Sequence, residues 1–188
     1  MVTISDYQPG WPDEFRREAA RIRAALGDLA LRIDHIGSTA VAGLAAKDIL
    51  DIQVSVAALR PAVIAALQAA GYQYRKEIDR DHVPPGGASA AEAWRKLYFR
   101  EAPATRVVHI HVRVAGQPNQ CYPLLFRDYL RAHPASAAAY GELKRRLAAN
   151  LADSDSYPDV KDPAVDLIYL AAEDWAAATG WQPAASDA

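Results

Sequence analysis

An apolar run, Leu31–Ile36, ends in Gly37-Ser38-Thr39 and is followed by a second apolar run that carries one carboxylate, Asp51; no other feature constrains this chain as much. The spacing predicts a strand, a Gly-Ser turn, a short helix over Ala40–Ala46 and a second strand over Ile49–Val56. Glycine lets the backbone approach a ligand closely, and Ser38 or Thr39 can donate hydrogen bonds to phosphate oxygens as the next element begins. Asp51 sits inside an apolar strand, where an ionised carboxylate is costly unless paired, hydrogen-bonded or metal-bound. Gln53, two residues on, shares its face. A divalent ion that holds a triphosphate takes several such oxygens from one face, so this is a phosphate-handling arrangement.

The 188 residues and 51% hydrophobic content suit one domain spanning 1–188, with a mixed-sheet core over 1–116 and a helical portion over 117–188. With 21 basic and 23 acidic residues, the net charge of -2 gives no support for a protein that coats nucleic acid or hugs a membrane. Cys121 is the single cysteine, which excludes an intrachain disulfide and a cysteine-rich zinc site. Met1–Gly10 lacks the basic head and apolar block of a signal peptide, and no segment has the apolar length of a membrane span, so a cytoplasmic location is expected.

Trp11-Pro12-Asp13-Glu14-Phe15 opens a predicted helix ending at Gly27, and Arg60–Ala70 forms another, with Pro61 in its first turn. Arg75–Ala93 fits neither helical nor strand period and reads as a surface loop lying over a site. Trp94–Arg100 and Arg106–Val114 suit a hairpin turning at residues 101–105, and the second strand alternates, with His109, His111 and Arg113 on one face. Helices are predicted over Cys121–Ala132, Ala135–Ala152 and Pro163–Thr179. The fold class is α+β: a mixed sheet with flanking helices and a helical C-terminal portion.

Two histidines at i, i+2 on one strand face can bind a transition metal or, as cations, contact phosphate; otherwise they are a hydrogen-bonded polar pair. Asp51, His109 and His111 are therefore the candidate catalytic and metal-binding set, for magnesium, manganese or zinc. Arg127 and Arg131 stand one helical turn apart and suit a triphosphate, or else a salt-bridge ladder. Lys144 reads as pointing into the cleft or as part of a solvated charge run with Arg145 and Arg146. Tyr157 and Lys161, before the last helix, are placed to close over a nucleotide.

The Gly-Ser and strand-aspartate pattern resembles the nucleotidyltransferase fold, in which Gly-Ser is followed by Asp-x-Asp or Asp-x-Glu on the next strand. Here the pair is Asp51-Ile52-Gln53, and an amide oxygen is a poorer magnesium ligand than a carboxylate. The strings HIGSTAVAGLAAKDILDIQV (35–54), HIHV (109–112), FRDYLRAHP (126–134), YGELKRRLA (140–148) and YPDVK (157–161) together resemble the GrpB family, in its order and over nearly the whole chain. Asp48 departs from that pattern, standing where the family often has proline. The resemblance implies a nucleotidyltransferase-like fold and marks His35, Gly37, Ser38, Thr39, Lys47 and Asp51 in its first block. It also implies a link to coenzyme A biosynthesis, because a similar domain is fused to dephospho-coenzyme A kinase in some proteins. The expected activity is metal-dependent transfer from a nucleoside triphosphate to a small acceptor, with Gln53, Arg127, Arg131, Lys144, Tyr157 and Lys161 around its phosphates. The alternatives are a non-catalytic nucleotide or coenzyme A-precursor binding module and a metal-dependent phosphohydrolase.

Overall fold

Pro12 tolerates a helical first turn and Asp13 and Glu14 complement its positive end, so the first helix, α1 (Trp11–Leu26), begins where the sequence predicts. Trp11, Phe15, Ala19, Ile22 and Leu26 recur at helical spacing and are all buried. They cover one face of a five-stranded sheet in a computed structural model that describes residues 2–87, 90–102, 105–153 and 156–188. Met1, Ala88 and Ser89 of the expected surface loop, and Pro103 and Ala104 of the expected hairpin turn lie outside the described residues.

The strands are β1 (Arg32–Ile36), β2 (Leu50–Val56), β3 (Gln73–Tyr74), β4 (Leu97–Arg100) and β5 (Val108–Val114), in the order β1-β2-β5-β4-β3. β2 and β5 are parallel, and the other neighbouring pairs are antiparallel. The connection from β2 runs through α2 (Pro61–Ala69), β3 and β4 before the chain returns as β5. One face carries Ile33, Ile52, Val54, Ile110, Val112 and Phe99, all fully buried with α1 and α2. The opposite face carries Asp51, Gln53, His109, His111 and Arg113, as strand alternation requires. The helices α3 (Pro118–Ala132), α4 (Pro134–Asn150) and α5 (Tyr157–Thr179) lie on that polar side, with a second apolar cluster of Val41, Leu44, Leu130, Ala137 and Tyr140. The architecture is the expected α+β. No helix among the described residues is long and apolar enough to cross a membrane.

Three local expectations are corrected, and one short strand is added. The short helix over 40–46 is a single 3-10 turn, Ser38–Ala40, because Val41 is extended and Gly43 has φ 78°, outside helical geometry. The strand expected from Trp94 starts at Leu97, since Ala91–Trp94 is itself a 3-10 turn. The last helix begins at Tyr157: Pro158 starts it and Pro163 lies inside it at the loss of one backbone donor. β3, two residues long, has too short a run for any period to reveal. The segment expected as a loop over the site is irregular as predicted, but Asp81 pins it beneath the sheet, where it pairs with Lys96 and Arg113.

Candidate functional site

The parallel register of β2 and β5 sets Asp51 beside His109 and Gln53 beside His111 on the polar face. Asp51 Oδ1 lies 3.4 Å from His109 Nδ1 and 3.8 Å from His111 Nε2. Gly37, at φ 69°, packs directly on this carboxylate: a Cβ there would collide with Asp51 Oδ2 and lie 2.9 Å from the Asp51 Cβ. The Gly-Ser turn thus puts bare backbone against the strand-borne carboxylate. Burial favours the neutral acid at Asp51, but the adjacent His109 and His111 imidazoles outweigh it and hold the carboxyl well below the usual range.

Behind the histidines lies an ionic network that sequence reasoning missed. Arg113 donates to Asp81 through Nε and one terminal nitrogen, each at 2.8 Å, and Lys96 reaches the same carboxylate at 2.7 Å. Arg113 and Lys96 also approach His111 Nδ1, at 3.2 and 3.4 Å. Neither cation can accept a hydrogen bond, so Nδ1 is the acceptor and the neutral ring carries its proton on Nε2, towards Asp51. Burial, then the charge of Arg113, push His111 down to about 3. Gln53 belongs to this support: its Oε1 accepts from Arg113 at 2.8 Å and its Nε2 donates to the Gln120 carbonyl at 3.0 Å. Asp81 carries no periodic signal, and only the tertiary fold brings it from its loop to Arg113.

The other wall is helical. A cavity of about 390 Å³ opens between the Gly37–Thr39 turn, Asp51, His109 and His111 on one side and α3, α4 and α5 on the other. Lys47, Lys144 and Lys161 line it, together with Tyr122, Tyr140 and Tyr157. Lys144 Nζ donates to Ser38 Oγ at 2.7 Å, and burial, followed by the charge of Lys161, lowers its pKa to about 7. Lys47 Nζ lies 4.1 Å from the centre of the Tyr157 ring, and burial lowers it too. The Tyr157 hydroxyl is buried without a hydrogen-bond partner among the described residues. A signal for these residues was present: Tyr140 and Lys144, then Tyr157 and Lys161, each stand at i, i+4, which puts tyrosine and lysine on one helical face.

Four expected site residues do not line this cavity. His35 points to the other side of the sheet, stacked on Phe15 with ring centroids 4.7 Å apart, and burial lowers it to about 4. Its Nε2 meets Thr39 Oγ1 at 3.0 Å, and Thr39, which lines the cavity, donates to the Ile49 carbonyl, so His35 braces the turn from behind through Thr39. Gln53 is fully buried beneath the histidines. Arg127 and Arg131 are corrected from phosphate ligands to supports. Arg127 donates to the His35 carbonyl at 2.9 Å and pairs with Asp128 and Asp187, while Arg131 donates to the Ala40 carbonyl at 2.8 and 3.0 Å. The two guanidiniums grip the backbone before and after the Gly-Ser turn. Asp48, the position that departs from the family pattern, accepts hydrogen bonds from Trp11 Nε1 and Arg106.

The candidate metal set meets in space: the donor atoms of Asp51, His109 and His111 lie within 4.8 Å of one another. Two nitrogens and one oxygen suit zinc or manganese better than magnesium. His109 offers Nδ1, its Nε2 being buried without a partner among the described residues. His111 is the weaker ligand, because the cations at Nδ1 keep a proton on the nitrogen that would bind.

Comparison with known proteins decides the family. The family described as "GrpB protein" matches residues 1–170. The chain belongs to the GrpB family. A solved GrpB structure, the conserved protein from Enterococcus faecalis, superposes with a TM-score of 0.70 at 32% identity, covering 92% of this chain and 99% of that one. Among curated relatives, a protein named dephospho-CoA kinase from Mycolicibacterium paratuberculosis is 38% identical over 197 residues, 97% of this chain and 48% of its own length. UPF0157 protein BH1888 of Halalkalibacterium halodurans is 34% identical over 171 residues, 89% of this chain and 80% of its own. The chain thus spans about half the length of the dephospho-CoA kinases it matches.

Proposed function

We propose that this GrpB-family chain binds a nucleotide, or a related phosphate-bearing compound such as a coenzyme A precursor, in the cavity, and transfers a nucleotidyl group from it to a small acceptor. One observation carries the reading: the lysines Lys47, Lys144 and Lys161 converge on one cavity, and Lys47, its ammonium against the Tyr157 ring, has no ion-pair partner among the described residues. Partly desolvated cations without counter-ions are costly, and a polyphosphate supplies the missing charge. Lys161 pairs with its neighbour Asp162 and faces the same space. Tyrosine rings on α3, α4 and α5 offer flat surfaces for a base.

Asp51 and His109, with His111, would hold a divalent ion, which supplies Lewis-acid polarisation of a phosphate oxygen. The chain's own residues do the rest. Ser38 offers its hydroxyl to phosphate, Lys47 and Lys161 neutralise charge, and the Arg127 and Arg131 grips keep the Gly37–Ala40 turn in place. The dephospho-CoA kinase relatives favour an adenosine-containing compound from coenzyme A metabolism as the first ligand to try.

Isothermal titration against nucleotides and dephospho-coenzyme A, with and without magnesium, manganese and zinc, tests binding, and product masses test transfer. Expected are binding that weakens about tenfold when Lys47→Met or Lys161→Met removes one phosphate contact, and metal-dependent turnover lost in Asp51→Ala. No affinity for any of these compounds under any metal condition would refute the proposal. A second reading, a non-catalytic binding module, is favoured by Gln53, which stands where a second carboxylate is expected and is committed to Arg113 and Gln120. Binding without turnover would select it.

A further inference from the structure

Phosphate binding does not require Ser38 and Lys144 to touch, yet Lys144 Nζ lies 2.7 Å from Ser38 Oγ, inside the cavity. Lys144 projects from the buried face of α4, is 3% exposed, and holds its nitrogen 4.5 Å from the centre of the Tyr140 ring. No carboxylate pairs with it among the described residues, and its one hydrogen-bond partner there is the serine hydroxyl. Ser38 leads the 3-10 turn directly after Gly37 and lines the cavity.

The charged and titratable groups around the amine come from six directions. Tyr140 and Arg145 lie on its own helix, Tyr157 and Lys161 on α5, Tyr122 on α3, Asp51 on β2, His109 and His111 on β5, and Lys47 on the segment before β2. Burial, then Lys161 and Arg145, favour the neutral amine, and Asp51 opposes them. In the neutral form Nζ has a lone pair and can accept the Ser38 proton, which a charged ammonium cannot.

We propose that Ser38 and Lys144 form a serine–lysine dyad, with Ser38 Oγ the nucleophile and Lys144 the general base, acting on a phosphoanhydride in the cavity. The phosphorus electrophile rests on the nucleotide reading above; the activated serine does not. In the first step Oγ forms a bond to phosphorus as the bond from phosphorus to the leaving phosphate oxygen breaks with its electron pair. The hydroxyl proton passes to Nζ and then to the leaving group, which restores the amine. In the second step an acceptor hydroxyl attacks the same phosphorus, the Oγ–P bond breaks, and Lys144 carries the acceptor's proton to Oγ. Lys47 and Lys161 stay charged and hold the phosphates, which leaves Lys144 free as the base.

A fluorophosphonate reports serine activation without knowledge of the substrate, since Oγ displaces fluoride from phosphorus. The full chain should take up one adduct, mapped to Ser38 by peptide mass, at a rate that rises with pH through a midpoint near 7. Ser38→Ala should take up none. Lys144→Met and Lys144→Arg should each slow the reaction by about 100-fold or more, the range of general-base catalysis. An unmodified Ser38 in the unaltered chain, or a rate flat across neutral pH, would overturn the dyad, and neither result depends on a variant folding. Calorimetry on the same preparation separates the two readings. Nucleotide binding without a Ser38 adduct overturns the dyad and leaves the binding site standing; an adduct without nucleotide affinity upholds the activated serine and overturns its nucleotide substrate.

Discussion

At the residue scale, Gly37 and Lys144 are the positions whose chemistry has least freedom. Gly37 combines a positive φ with direct packing on the Asp51 carboxylate, so Gly37→Ala should displace Asp51 and cost about 1–3 kcal/mol, read from urea unfolding. Lys144 gives a pH signature. Its pKa falls from the ordinary 10.5 to about 7 on folding, so between those values the unfolded chain binds the extra proton. This group's contribution to stability therefore rises as pH increases from about 7 to 10.5. Lys144→Met should remove that rise, which unfolding curves across the window would show. Asp51 and Ser38 were legible from their place in a strand and a turn, because local pattern exposes a costly carboxylate and a glycine-linked hydroxyl. His35 was not: its sequence neighbourhood marks it as a site residue, but alternation along β1 turns its ring onto Phe15.

At the scale of elements, the arginines of α3 act on the β1 turn rather than on a ligand. Arg131→Met removes both hydrogen bonds to the Ala40 carbonyl. The loss should be about 1–3 kcal/mol of stability, with weaker phosphate binding although no atom of Arg131 lines the cavity. Thermal unfolding and titration with inorganic phosphate check the two effects. Under the sheet, Asp81 neutralises Arg113 and Lys96, and all three are nearly buried. Asp81→Ala leaves two cations without their shared partner and should cost about 3–5 kcal/mol, measured by denaturant unfolding. The helices and strands themselves were largely readable, since Pro12, Gly27 and Pro61 punctuate them and β5 alternates. The 3-10 turn at 38–40 and the start of α5 at Tyr157 were not, because φ at Gly43 and the tolerance of an internal proline depend on neighbours rather than on local pattern.

At the scale of the molecule, the sheet and the three C-terminal helices form two walls of one cavity, and ligand binding should tie them together. A compound held there at about 100 times its dissociation constant should stabilise the fold by about 2.7 kcal/mol, visible as a rise in Tm. No rise with any nucleotide or phosphate compound would count against the site. By itself the sequence determined the α+β class, most of the elements, and the family, because hydrophobic period, turn residues and motif order are written along the chain. It also marked Asp51, His109 and His111 as one set, since strand alternation alone puts both histidines on one face. The tertiary structure decided which cations meet them. Helix packing turned Lys144 inward and Arg127 and Arg131 backward, and a loop supplied Asp81. The physical reason is that periodicity fixes which face of an element a side chain occupies, whereas what that face meets depends on how elements distant in sequence pack together.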